Sequence, residues 1–295
     1  MRFVPSELLR CPMDTLELQL DNMRLHCAAG HSFDIARQGY VNLLGAGEKR
    51  SRDPGDSKEM VRARGAFLDA GHYQPVAIRL AELVRPLLGV EATIVDAGCG
   101  DGYYLEALHA QLASGAASHT TLIGFDISKW AVLAAARRLA ATWMVASNRN
   151  IPLAADSVDC LLSLFGFPVF AAFLAALKTG GTLLTVNAGP HHLIELREIL
   201  YPSVRYSASS VVTQAEAAGF LAGASSTLQY RTVALSPLHI HQLLSMTPHL
   251  FRASREGKQR AAQLEQLHVT VDVVFQLLHK PATSHPARHT EPDSV

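Results

Sequence analysis

The sequence predicts an α/β protein, a parallel sheet with crossover helices preceded by a small β unit, and three observations carry that prediction. From Ala92 onward, β-rich apolar runs alternate with helical stretches, the pattern of strands joined by crossover helices. The first of these runs ends in a glycine-rich turn, Gly98-Cys99-Gly100-Asp101-Gly102, that opens a helix. Ahead of both, Cys11 to about Leu44 consists of short alternating segments, LELQL, MRLHC and YVNLL, separated by turn formers such as Asp21-Asn22 and Gly30.

In chain order, residues 1–45 read as the small β unit and residues 46–90 as a basic helical linker. Ser57 is a plausible N-cap for a helix carrying Met60, Ala63, Phe67 and Ala70 at helical spacing, and a second helix runs from about Pro75 to Leu88. The main domain, 91–280, then alternates TIVDAG, the helix YYLEALHAQL, TLIGFDI, the helix KWAVLAAARRLA and TWMVAS. DCLLSLF and TLLTVN continue the series, separated by the helix AAFLAALK and a turn at Thr179-Gly180-Gly181. Beyond Asn187 the rhythm changes: a helix near Leu193 to Leu200, a less regular stretch, helices near Pro237 to Met246 and Arg255 to Gln266, and a final strand, VTVDVVFQLL. The last residues, 281–295, are polar and poor in apolar anchors, which predicts a disordered tail.

Apolar residues make up 48% of the 295, enough for one sizeable core and a smaller appendage. No signal-peptide run opens the chain and no stretch approaches the roughly 20 apolar residues a bilayer demands, so a cytoplasmic protein with no membrane partner is expected. Four scattered cysteines suit a reducing compartment. The formal net charge of +0 lacks the global basicity of many nucleic-acid binders, so any RNA contact must be local. Its place would be the stretch around Lys49, Arg50 and Arg52, whose plainer reading is a solvated helix face.

The strongest chemical signal is Ile94-Val95-Asp96-Ala97-Gly98-Cys99-Gly100, a buried strand running into the glycine turn. Glycines there let the backbone take positive φ and approach a ligand closely. The spacing is Gly-x-Gly-x-Gly rather than that of a nicotinamide site, and an acid precedes the first glycine. Together these point to a Rossmann-like, class I fold binding S-adenosylmethionine. Asp96 would lie near the cofactor's amino-acid end, with Gly98 and Gly100 beneath it. Asp126 ends the next strand, where a carboxylate can accept hydrogen bonds from ribose hydroxyls. Ser147 and Asn148 end a third strand, near an adenine edge. Cys99 and Cys160 read as small buried fillers.

Cys11-Pro12-Met13-Asp14, followed by Cys27-Ala28-Ala29-Gly30-His31, has the frame of a zinc knuckle with one ligand changed. Cys11, Cys27 and His31 are soft or borderline donors, and the Asp14 carboxylate could be the fourth ligand of a structural Zn2+ site. Alternatively, the unit folds by packing alone and carries two free thiols. His26 would point to the opposite strand face and is not counted.

The stretch from Gln38 to Leu44 (QGYVNLL), then Lys49 to Ser57 (KRSRDPGDS), then Ala66 to Tyr73 (AFLDAGHY) closely resembles the large-subunit rRNA (guanine-N(1)) methyltransferase family. With the knuckle before it and the cofactor turn after it, the match runs from about Cys11 to Asp126, and echoes follow at Gly189 to Leu193 and Met246 to Pro248. The resemblance implies methylation of ring nitrogen 1 of a guanine in a 23S rRNA hairpin, S-adenosylmethionine as donor, and a homodimer whose zinc domains help line an RNA cleft. It turns Lys49, Arg50 and Arg52 into phosphate contacts. Two departures stand out: the second knuckle cysteine of the family is Asp14 here, and Ser163 to Pro168 differs from the form associated with active members.

Ring nitrogen 1 of guanine carries a proton and is a poor nucleophile until that proton leaves, so such an enzyme needs alignment plus a base or a stabilising field. His192, just after the fifth strand, is the base candidate, its plainer reading being a surface histidine capping a helix start. A target lifted from its stack favours apolar or aromatic neighbours, which Phe165, Phe167 and Pro168 could supply. A methyltransferase of the same fold acting on a small molecule or protein, and a noncatalytic RNA-binding relative, are the competing readings.

Overall fold

Strand periodicity divides the apolar residues of this chain between two faces of one sheet. In the computed structural model, which describes residues 3–45, 47, 54–113, 120–204, 210–247 and 249–282, Ile94, Trp143, Cys160 and Leu184 face one core cluster. Their neighbours Val95, Met144, Leu161 and Leu183 face the other. The strands are β1 (Gln19–Asp21), β2 (Arg24–His26), β3 (Ser32–Ala36), β4 (Tyr40–Asn42), β5 (Thr93–Ala97), β6 (Thr121–Asp126), β7 (Thr142–Val145), β8 (Val158–Leu164), β9 (Leu177–Ala188), β10 (Leu221–Arg231) and β11 (Thr270–His279). Their order is β1-β2-β3-β4-β7-β6-β5-β8-β9-β11-β10. β7, β6, β5, β8 and β9 are parallel, and β11 runs antiparallel to both β9 and β10.

The amino-terminal unit joins this sheet directly. β4 pairs in parallel with β7, Val41 opposite Met144, and Leu43 N donates to Val145 O at 3.0 Å. Leu9, Leu18, Leu25, Ile35 and Val41 belong to the same buried cluster as Val95 and Phe125.

The first face carries α1 (Lys58–Asp69), α2 (Gln74–Val84), α3 (Tyr103–Leu112) and α4 (Lys129–Arg138) through Phe67, Leu80, Leu105 and Val132. Ser57 caps α1 as the sequence predicts, accepting from Met60 N. α2 gives way to a 3-10 turn, Arg85–Leu87, because Pro86 has no N–H to continue the α-helical ladder. The other face carries α5 (Phe170–Ala176) and α7 (Val211–Ala217). α6 (Ile194–Leu200), α8 (Pro237–Met246), α9 (His249–Arg252) and α10 (Arg255–Ala262) complete the fold.

Three expectations are corrected. Thr179-Gly180-Gly181 is no turn between elements but part of β9, where Val158 pairs with Leu177 and Cys160 with Thr182; the extra residues form a bulge. The less regular stretch contains β10, a mostly exposed edge strand whose small polar residues lack a strand's apolar signature. The last helix ends at Ala262 rather than Gln266. The tail, apart from Pro281 and Ala282, lies outside the described residues.

Candidate functional site

Chain order leaves β5 for β6 and β7 on one side and returns for β8 and β9 on the other, so the sheet has its switch point between β5 and β8. Loops diverge at the carboxyl ends of strands flanking such a point and leave a crevice. A cleft of about 1460 Å³ opens there, lined among others by Asp96, Gly98, Gly100, Asp126, Ser147, Asn148 and His192. The cofactor-site residues expected from sequence thus share one cleft with the expected base.

The turn after β5 is held open. Gly98 and Gly100 have φ of 84° and 55°, and Gly98 N donates to Phe125 O at 2.8 Å. A Cβ on Gly98 would meet no atom within 4 Å, so the space above the turn is free for a ligand. Asp126 receives N–H donors on both carboxylate oxygens, Ser128 N at 2.8 Å and Gly100 N at 3.1 Å, which pins the strand end to the turn. Asn148 Nδ2 donates to Phe167 O at 2.9 Å, tying the third strand end to the segment after β8.

Asp96 is different. It is 1% exposed, and its Oδ1 is buried without a hydrogen-bond partner. Burial first, then the charges of Asp126 and Asp101, push its pKa up to about 7. Such an orphaned carboxylate oxygen beside an open glycine turn fits the ammonium end of S-adenosylmethionine, whose sulfonium and amino-acid charges would favour the ionised form. Asp101, by contrast, is taken up structurally: Arg138 Nε donates to it at 3.0 Å, and the same guanidinium reaches Asp69 and Glu106, tying α1, α3 and α4 together.

An aromatic wall faces the turn. Phe165, with a left-handed φ of 52° at the end of β8, places its ring 6.2 Å from Tyr73, 6.4 Å from Tyr104 and 5.9 Å from His192, centroid to centroid. Non-glycine residues hold such a φ only where the surroundings impose it. Phe167 is 89% exposed and stands apart from this wall.

His192 is fixed at both ring nitrogens. Asp272 N donates to Nδ1 at 3.2 Å, and Nε2 lies 3.2 Å from Tyr73 Oη. A backbone N–H can only donate, so the neutral ring carries its proton on Nε2 and gives it to Tyr73. Burial lowers the pKa to about 4 against the raising influence of Asp272. The base expected at this position therefore keeps no lone pair for a proton from the cleft.

The expected metal ligands also converge. One donor atom each from Cys11, Asp14, Cys27 and His31 lies within 4.8 Å of all the others. His31 Nδ1 is 3.6 Å from Cys11 Sγ, 3.4 Å from Cys27 Sγ and 2.9 Å from Asp14 Oδ2. Bond lengths around tetrahedral zinc place sulfur and nitrogen ligands about 3.5 Å apart, so the donor set fits Zn2+. Burial raises the pKa of Asp14, but the Leu16 N–H and the Cys27, Cys11 and His31 side chains outweigh it and bring the value down to about 2. A site closed by four protein ligands is structural. Its loop meets the segment just after the cleft residues Asn148 and Arg149, since Asn150 Nδ2 donates to Pro12 O at 3.3 Å.

Cys99 and Cys160 are buried, and burial raises both thiols, Cys160 to about 12, as inert fillers require. Lys49, Arg50 and Arg52 lie outside the described residues. Sequence reasoning missed Tyr73, Tyr104 and Asp272. Tyr73 and Asp272 meet His192 only when segments 119 and 80 residues apart pack together.

Both the amino-terminal unit and the domain with the glycine turn are similar to known families. The amino-terminal zinc-ribbon model described as "RlmA, N-terminal" matches residues 9–52, and a methyltransferase-domain model matches residues 94–181. A Bacillus subtilis protein whose name assigns it to the 23S rRNA (guanine-N(1)-)-methyltransferases is 34% identical over 284 residues, covering 92% of this chain and 97% of that one. The 23S rRNA (guanine(748)-N(1))-methyltransferase of Streptomyces fradiae is 35% identical over 196 residues, 65% of this chain and 67% of that one. A chain from the complex of the Haloferax volcanii Trm112 methyltransferase activator with a methyltransferase aligns at a TM-score of 0.49 and 20% identity, covering 77% of this chain and 99% of that one. Among the described residues, no helix is long and apolar enough to cross a membrane.

Proposed function

The chain belongs to the 23S rRNA (guanine-N(1)-)-methyltransferase family, and on that premise we propose that it methylates ring nitrogen 1 of a guanine in a 23S rRNA hairpin. The observation that carries the reading is identity of 34% along 97% of a full-length relative, joined to a cleft whose orphaned Asp96 oxygen suits the cofactor. S-adenosylmethionine, when bound, supplies an electrophilic methyl group on a sulfonium.

The chain's own residues divide the work of binding donor and RNA. Asp96 holds the amino-acid end of the donor, Gly98 and Gly100 let it approach the backbone, and Asp126 accepts from the ribose. Ser147 and Asn148 border the adenine side. Phe165, beside Tyr104, takes a base lifted out of its stack, since every base offers a π-face to an aromatic ring. Lys49, Arg50 and Arg52 position phosphates. A second copy of the chain completes the RNA cleft as a homodimer, and such an enzyme works in the cytoplasm, where ribosomal RNA is assembled.

The test is transfer of labelled methyl from S-adenosylmethionine to 23S rRNA lacking the modification, with the base mapped by mass spectrometry. Label at ring nitrogen 1 of one guanine is the expected result. Cofactor binding with label on no RNA would overturn the reading.

A further inference from the structure

Tyr73 and His192 form a pair that the reaction above has not yet used. Tyr73 sits at the start of α2, is 2% exposed, and lines the cleft with its hydroxyl turned to His192 Nε2. Asp272 N occupies His192 Nδ1, so the donor direction along the chain is set: backbone N–H to Nδ1, Nε2–H to the phenol oxygen. A phenol oxygen that accepts from the imidazole keeps its own proton to give away. Among the described residues no acceptor stands in hydrogen-bond reach of that proton.

The rest of the loop is built to hold this arrangement. Gly189 N donates to Asp272 O at 2.8 Å, His191 N to Asp272 Oδ2 at 2.8 Å, and Arg197 Nη1 to Pro190 O at 2.8 Å. Five hydrogen bonds, these three and the two of the imidazole, fix the ring and with it the direction of the Tyr73 hydroxyl.

Guanine's chemistry supplies the partner. When the proton on ring nitrogen 1 leaves to water, negative charge spreads from that nitrogen onto the neighbouring exocyclic oxygen, O6. The nitrogen lone pair then forms the N–CH3 bond as the C–S bond breaks, its electron pair returning to sulfur and the charge on O6 disappearing. A donor aimed at O6 therefore acts most strongly between ground state and product, the condition for catalysis rather than mere binding. Resting on the reading above, we propose that Tyr73 is a catalytic hydrogen-bond donor to guanine O6 and that His192 is the positioning residue that fixes the direction of the donation.

The titration behaviour is consistent. Burial raises the Tyr73 phenol far above its ordinary value and lowers the His192 ring to about 4, so both stay neutral and in the same donor order across the physiological range. The groups facing His192 are Tyr73, Phe165, Asp272, Arg197 and His249, and no carboxylate among them is placed to accept from Nε2.

Two measurements test the pair. In single-turnover methylation of the hairpin, Tyr73→Phe slows transfer about a hundredfold, the usual loss for one donor to a developing oxyanion. His192→Ala falls by a similar factor, the double variant is no slower than Tyr73→Phe alone, and His192→Gln, which retains an N–H donor, recovers most of the rate. Multiplicative losses in the double variant, or full rate in Tyr73→Phe, overturn the proposal. The second measurement uses no cofactor: affinity for the hairpin against one whose target guanine is 2-aminopurine, which lacks O6. Wild type prefers guanine by roughly threefold to tenfold, as for one neutral hydrogen bond, and Tyr73→Phe loses that preference. An unchanged preference in the variant overturns the assignment, while absence of methylation by wild type with the preference intact would count against the reaction and not against Tyr73.

Discussion

Replacing Asp96 by asparagine should erase a pH dependence that the native cleft builds into cofactor binding. The carboxyl is 1% exposed, has an unpartnered Oδ1, and is raised to about 7 by burial and by the neighbouring charges of Asp126 and Asp101. In the ligand-free protein below pH 7 it is largely protonated, yet the ammonium it is to hold favours the carboxylate. Binding must therefore expel a proton, and each unit below pH 7 weakens affinity about tenfold. Between pH 7 and pH 5 the loss is about a hundredfold, or about 2.7 kcal/mol, and above pH 7 the carboxylate contributes no further change. The same sign applies to the free protein, whose folded-state Asp96 binds its proton more tightly than the unfolded chain does: stability contributed by the protonated form is lost as pH rises from 3.8 to about 7. The assay is titration calorimetry with S-adenosylhomocysteine, which shares the amino-acid end, at pH 5, 6, 7 and 8 in two buffers of different ionisation enthalpy. Wild type should release close to one proton at pH 5 and almost none at pH 8, whereas Asp96→Asn should bind more weakly at pH 7 with a flat profile. A pH-independent wild-type affinity, or the same slope in Asp96→Asn, would refute the reasoning.

Chelation of the amino-terminal metal should lower the melting temperature by at least roughly 5 °C, about 2 kcal/mol for a chain of this size, and Asp14→Cys should slow zinc loss to a chromogenic chelator; an unaltered melting curve would mean that the unit folds by packing alone. His192, depressed to about 4 by burial, contributes stability above its ordinary 6.5 that is lost as pH falls from 6.5 to 4. His192→Gln should flatten that part of the urea-denaturation profile by about 3 kcal/mol. Gly124→Ala should cost about 1–3 kcal/mol, since its Cβ would collide with the buried Trp143 ring; a second change, Trp143→Phe, should recover part of the loss, and thermal melts showing no recovery would locate the strain elsewhere. Neutralising Lys49, Arg50 and Arg52 together should reduce the slope of log affinity against log salt by about 2–3, and equal slopes would remove these residues from the RNA contact.

What could be read from the chain beforehand was what lies close in sequence. Asp96 and Gly98 are two residues apart on one strand end, and Cys27 and His31 span a single turn, so residue type and spacing alone brought them forward. Asp126 was legible because the parallel strands β5 and β6 end at the same edge of the crevice. Tyr73, His192 and Asp272 were not legible as a group: 119 residues separate Tyr73 from His192, and 80 separate His192 from Asp272. His192 attracted attention for its chemistry, but its hydrogen bonds, invisible in sequence, give it a different role from the base that residue type suggested. β10 escaped for the opposite reason. Its side chains are largely exposed and small, so neither alternation nor bulk betrays the backbone pairing with β11 that defines it.

The pairing of β4 with β7 has a consequence for how this protein can be cut. Val41 and Asn42 cover the backbone edge of Met144 and Val145, and Leu43 closes the end of that edge. A truncation that begins the chain after residue 45 would leave β7 as a bare border strand, buried on both faces, with open amide and carbonyl groups ready to zip onto any passing strand. The catalytic half alone would then be expected to self-associate through that border, and the amino-terminal ribbon would serve the sheet as its selvedge as well as serving any metal it holds.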